Sequence, residues 1–139
     1  MTEIDETAGM SEAGRHEWEL MVAGEVYQDS HPDIERKRAE AKRLFVEYNK
    51  TDYEDVERRR EIMERLFKSI GEDVFIEPNF RCEVGRNITI GSHAYINFDC
   101  VMLDNAPITL GDYVWIAPMV GLFATNHALD FEERKNGAC

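Results

Sequence analysis

The chain has 139 residues, with 28 Asp plus Glu against 16 Lys plus Arg and a formal net charge of −12. That length suits one core with an appendage and is too short for two substantial cores. The acidity makes nucleic acid a poor partner and argues against anionic membrane surfaces, since both are polyanions.

Residues 1–10 (MTEIDETAGM) are polar and aperiodic and read as a flexible tail. From Ser11 a short helix is expected, because Trp18, Met21 and Val22 fall at i, i+3 and i+4. Asp29 to Asp33, through Ser30, His31 and Pro32, has the composition of a turn and helix start. Ile34 to Tyr48 then reads as a helix with Ala39, Leu44, Phe45 and Tyr48 on one stripe. Thr51-Asp-Tyr-Glu54 fits a capping box. Val56, Ile62, Met63, Leu66, Phe67 and Ile70 follow at helical spacing, which predicts a helix over 52–70 stopped by Gly71. The Arg58-Arg59-Arg60 run reads as a solvated face balanced by Glu54, Glu57, Glu61 and Glu64. Residues 11–72 thus form an N-terminal helical segment.

From residue 73 onward the helical period is lost. Ile88-Thr-Ile-Gly-Ser-His-Ala-Tyr-Ile-Asn97 aligns with Ile108-Thr-Leu-Gly-Asp-Tyr-Val-Trp-Ile-Ala117 at an offset of 20 residues. A finer period of six runs through Ile90, Ile96 and Met102, breaks, and resumes through Leu110, Ile116 and Leu122. Small or β-branched residues (Ala94, Cys100, Val114, Val120) accompany it. Such a period needs one aliphatic per short strand pointing into a prism, as in a parallel β-helix. Three hexads make about 18 residues, so each coil carries an insertion of about two. An antiparallel sandwich is the alternative; no Asn-Gly or Asp-Gly hairpin turn interrupts the repeat.

The charge divides as eight acids and one base over residues 1–30, eleven of each over 31–72, and nine acids and four bases over 73–139. This suits a solvated surface in high salt, and equally an ordinary acidic one. No run of about 18 apolar residues and no apolar signal core occur. Cys82, Cys100 and Cys139 are odd in number and widely spaced, so neither a disulfide framework nor a zinc knuckle is indicated, and the cytoplasm is the simplest compartment.

These residues resemble a family. Ala23-Gly24-Glu25 with Tyr27 and Asp29, then Glu77-Pro78-Asn79-Phe80-Arg81-Cys82 with Gly85 and Asn87, are similar to its opening segments. Asn97-Phe98-Asp99-Cys100-Val101-Met102-Leu103-Asp104, Thr125-Asn126-His127 and Arg134-Lys135-Asn136-Gly137 continue the match. The family is the maltose/galactoside O-acetyltransferases, among the hexapeptide-repeat acyltransferases, and the maltose branch is the more similar. The resemblance implies a mainly β fold: a left-handed parallel β-helix over 73–139, preceded by the helical segment. It implies acetyl transfer from acetyl-CoA to a hydroxyl of a small sugar such as maltose or glucose, in a homotrimer with sites at subunit junctions. Family members continue through further coils that complete the coenzyme groove, so coenzyme contacts are expected beyond Cys139. A catalytically inactive fragment or an oligomerising pseudo-enzyme is the competing expectation.

Carried over residue by residue, the resemblance makes His127 the general base; an imidazole suits proton transfer near neutral pH. Without it, His127 would be an ordinary exposed loop residue. Asn97 matches an acceptor-site or oxyanion-binding amide, or else is a tight-turn Asn. Asp29 matches an acceptor-binding carboxylate, or else caps the next helix. Glu83 matches a position that varies between Ser and an acid. Asn105 stands where the galactoside branch has an acceptor-binding acid. Asp104 is either a family acid or structural, and Tyr95 either faces the acceptor or fills the repeat core. A zinc site would need three His around one junction, and only His93 and His127 lie in the coils, so no metal is expected.

Overall fold

The computed structural model describes residues 3–139. Three helices precede nine short strands and a last helical turn. They are α1 (Glu12–Ala23), α2 (Pro32–Asn49), α3 (Val56–Leu66), β1 (Ser69–Ile70), β2 (Phe75–Ile76), β3 (Arg81–Cys82), β4 (Ile88–Ile90), β5 (Tyr95–Ile96), β6 (Val101–Leu103), β7 (Ile108–Leu110), β8 (Trp115–Ile116), β9 (Gly121–Phe123) and α4 (Phe131–Lys135).

The strands form three parallel sheets, β1-β4-β7, β2-β5-β8 and β3-β6-β9, which are the walls of a triangular prism. Partners lie one coil apart: Thr89 pairs Thr109, Tyr95 pairs Trp115, and Met102 pairs Leu122. The sandwich alternative is therefore excluded. Of the hexad aliphatics, Ile90, Ile96, Met102 and Leu110 are buried, with Ala94 and Cys100 beside them, and Ile116 and Leu122 are partly buried against the same core; Ile76, one coil earlier, joins them. Corners turn through left-handed backbone at Asp73, His93 and Tyr113, stacked one per coil, and at Asp99 and Met119.

The prism starts earlier than residue 73. Lys68 to Glu77 is already β-helix, because Phe67 is extended (ψ 154°) and ends α3 at Leu66. Gly71 is accordingly a coil residue and does not cap α3. A Cβ there would lie 2.4 Å from the Ser92 backbone nitrogen in the next coil. The capping box also resolves differently. Asp55 caps α3 by accepting from the Arg58 N–H, while the Thr51 hydroxyl donates to the Tyr48 carbonyl at 2.6 Å.

One member of the arginine run is not solvated. Arg59 is buried, donates to the Tyr48 hydroxyl at 2.7 Å and to the Ile76 carbonyl, and stacks over the rings of Tyr48 and Phe75. The helical layer closes the first coil with Ile62, Met63, Leu66 and Phe67, the last edge-on to Phe80 at 5.5 Å. In the stretch read as a tail, Glu6 pairs with Lys37 at 3.2 Å and Arg86 at 2.8 Å.

Candidate acceptor and base site

The hexads run six apart on two sides of the prism, but Met102 to Leu110 spans eight. The inserted pair falls at the corner between the β3-β6-β9 and β1-β4-β7 walls, and this corner builds the site. Asp104 anchors it. Fully buried, it accepts from the backbone N–H groups of Glu83, Val84 and Asn87 at 3.0–3.1 Å. Burial raises its pKa, opposed by those N–H donors. Asp104 is therefore a structural acid.

Its neighbour Asn105 is 4% exposed and donates through Nδ2 to the Tyr27 hydroxyl at 2.7 Å. Tyr27 donates in turn to Asp29 Oδ1 at 3.0 Å. Burial, with Asp29 adding to it, pushes the Tyr27 phenol up to about 12, so it stays a neutral donor. Asp29 does not cap α2, since the His31 ring accepts from the Asp33 N–H at 3.2 Å instead.

Arg38, on α2, gathers the acids. It bonds Asp29 and Glu83 side chains, Glu35 at 2.7 Å and the Asp29 carbonyl at 2.8 Å. Burial opposes its charge, yet Asp29, Glu83 and Glu35 together outweigh that and raise its pKa. The spacing of the charged α2 sequence singled out none of this; only the fold brings Arg38 to Asp29 and Glu83.

His127 follows β9 on the same corner. It lines a cavity of about 380 Å³ with Asn105, Tyr27, Met21, Thr125 and Cys139. The imidazole is exposed, and its Nδ1 lies 2.9 Å from the Cys139 sulfur. Cys139 is held by reciprocal backbone bonds to Tyr27 at 3.1 and 3.2 Å. The corner therefore assembles His127, Asn105, Asp29 and Glu83. Asn97 is not among them: it lies after β5 at another corner, with its Oδ1 taken by the Phe98 N–H at 2.8 Å. Tyr95 faces outward, stacked on Phe75 and bonded to Glu77 at 3.1 Å, so it is not in the repeat core. His93 is a corner residue on Asp73 at 3.2 Å and stacked on Tyr113. Among the described residues no cluster of His, Cys, Asp and Glu forms a metal set.

This combination of a hexad prism, a helical cap and a corner His defines a hexapeptide-repeat acetyltransferase fold. Residues 20–71 match the maltose acetyltransferase hexapeptide capping motif. The nodulation protein L of Rhizobium meliloti is 37% identical over 123 residues, covering 88% of this chain and 67% of that protein. The maltose O-acetyltransferase of Clostridium difficile superposes with TM-score 0.84 at 34% identity, over 88% of this chain and 65% of that one. A hexapeptide-repeat acetyltransferase of Vibrio cholerae, solved with acetyl coenzyme A, superposes with TM-score 0.75 at 39% identity, over 86% and 64%. The chain belongs to the maltose/galactoside O-acetyltransferase family, and its prism is the left-handed β-helix of that family. It spans about two thirds of the length of the relatives it matches.

Proposed function

We propose that the protein moves an acetyl group from acetyl-CoA to a hydroxyl of a small sugar, maltose- or glucose-like, with His127 as general base. The observation that carries this is the exposed His127 imidazole on the same cavity as buried Asn105 and Tyr27, whose hydrogen bonds lead on to the half-buried Asp29. The imidazole takes the proton of the sugar hydroxyl as its oxygen attacks the thioester carbonyl, and the coenzyme thiolate leaves and is protonated. No acyl-enzyme is needed when both substrates bind together. Asn105 and Asp29 orient sugar hydroxyls, and Arg38 holds Asp29 and Glu83 in register. Asn97 sits at another corner, so it serves a His127 site only across a junction between copies, which suits a homotrimer. No coenzyme-binding residue is assigned within the chain, and the family's acetyl-CoA chemistry makes the cytoplasm the natural compartment.

A second reading is an oligomerising chain without catalysis. It is favoured by the apolar side chains left on the outside of the last coil, where Trp115 and Met119 are each 81% exposed. Acetyl-CoA titration and acetylation of maltose and glucose decide between them. The first reading requires saturable binding and a fall in kcat of about 10²- to 10⁴-fold for His127→Ala. Unchanged turnover in that variant removes His127 as base, and absence of acetyl-CoA binding favours the second reading.

A further inference from the structure

Lys42, Lys50 and Arg81 line one cavity of about 660 Å³ between the last turns of α2 and the start of β3. The chain has a net charge of −12, yet among the described residues no carboxylate lines this cavity. Among the described residues, too, none of the three cations pairs with an acid, whereas Arg36, Arg38, Arg58, Arg60 and Arg86 all do.

The local fold produces this arrangement. Lys42, Val46, Asn49 and Lys50 fall at i, i+4, i+7 and i+8, so they share one stripe at the end of α2. The acids of this half of α2 are engaged elsewhere: Glu47 pairs with Arg58 of α3, and Glu40 lines a different cavity. Asn49 fixes the stripe against the prism, its amide donating to the Phe80 carbonyl and accepting from the Phe80 N–H, both at 2.9 Å. Arg81 is exposed on the outer face of β3, and its partners in the next two coils, Val101 and Gly121, carry no charge. Asp99, on the same corner, accepts from the Asn79 N–H at 3.3 Å and is not part of the lining. The helix dipole accounts for a cation at Lys50, at the end of α2, but not for Lys42 or Arg81. Three like charges around one cavity repel one another, and an anion between them removes that cost. Half-buried Phe45 and exposed Val46 give the same cavity an apolar side.

We propose that this groove binds a small phosphate monoester, its phosphate held by Arg81, Lys42 and Lys50 and its carrier lying along Phe45 and Val46. A guanidinium donates two parallel hydrogen bonds to phosphate oxygens, and the lysines add compact charges. The groove opens before β3, at the corner of Asn97 and Asp99, whereas Asn105 and His127 lie at the opposite edge of that wall. It is therefore a second site, and it does not rest on the acetyl-transfer reading.

The test is calorimetric titration of the full chain at low salt with phenyl phosphate, inorganic phosphate and phenol. Phenyl phosphate carries the monoester on an apolar ring and has no sugar hydroxyls to occupy the His127 corner. It should bind saturably, with an affinity that falls as salt is added. Inorganic phosphate should bind about tenfold more weakly, and phenol alone should show no saturation. Arg81→Ala, and Lys42→Ala combined with Lys50→Ala, should each weaken phenyl phosphate binding by about tenfold or more. Lys68→Ala, an exposed cation away from the groove, should leave it unchanged. Circular dichroism verifies that the variants fold. Absence of phenyl phosphate binding, or binding that survives both groove variants, overturns the assignment. Equal affinity for inorganic phosphate overturns the part given to Phe45 and Val46.

Discussion

Gly91 and Gly111 occupy the same place in successive coils, yet substitution by Ala should have opposite effects. A Cβ on Gly91 would lie 2.6 Å from the Asp112 backbone nitrogen and 2.6 Å from the Gly111 carbonyl carbon. Ordinary contact for such atoms begins near 3.4 Å, so the overlap is about 0.8 Å. The obstacles are backbone of the next coil. They retreat only by separating β4 from β7, which weakens the parallel pairs Thr89–Thr109 and Ile90–Leu110. Overpacking of this kind costs roughly 1–3 kcal/mol. Gly111, in the last coil, has nothing within 4 Å of an added Cβ. Neither glycine has a positive φ. Gly111→Ala should therefore be neutral or gain about 0.4–1 kcal/mol by restricting the unfolded chain. The two variants should differ by roughly 2 kcal/mol, or several degrees in Tm. Urea and thermal unfolding followed by circular dichroism measure this. Equal destabilisation of the two, or a neutral Gly91→Ala, would show that the coils do not stack in the register described.

Three further outcomes follow from the site. Arg38→Ala leaves Asp29 and Glu83 close together without their shared counter-charge, and should cost roughly 3 kcal/mol at neutral pH. Adding Asp29→Asn and Glu83→Gln to that variant should recover part of the deficit in urea titrations, and an unchanged deficit refutes the charge-pairing account. The Tyr27 phenol is raised in the folded state from 10.0 to about 12, so the folded protein holds that proton over a range where the unfolded chain has lost it. Stability should therefore fall as pH rises from 10 to 12, and Tyr27→Phe should flatten that slope; an unchanged slope rules out Tyr27 as its source. Asp104 has a raised carboxyl pKa through burial, so the stability it contributes declines as pH rises above 3.8 through its folded value. Asp104→Asn should remove that dependence, while costing about 1–3 kcal/mol because an amide N–H then faces the Asn87 N–H.

The β-helix itself was legible because its constraint is local and repeated. Each wall needs one aliphatic per strand, so Ile90, Ile96 and Met102 announce it without reference to anything distant. The break before Leu110 even marked the corner where the site lies. The first strand of the first coil was hidden for an equally local reason. Ile70 and Gly71 also satisfy a helix end, and only the extended backbone at Phe67 decides between the two. The candidate His127, Asp29, Glu83 and Asn105 were readable through family likeness, and the structure brings them to one corner. Asn97 was readable too, but chain geometry puts it at another corner.

Charge patterning was the weakest guide, because net balance says nothing about which cation is desolvated. Arg58, Arg59 and Arg60 are identical as letters. Arg59 alone is buried, against Tyr48, Phe75 and the Ile76 carbonyl. Arg38 likewise sits among balanced charges until Asp29 and Glu83 converge on it from the loops before α2 and after β3. The Cys139–His127 contact depends on an antiparallel bridge between Gln28 and Ala138, residues far apart in the chain. The sequence by itself determined the solenoid and its helical cap, because those follow from periodicity and motif. Tertiary structure alone decided which polar groups are buried together, because desolvation and pairing belong to neighbours in space.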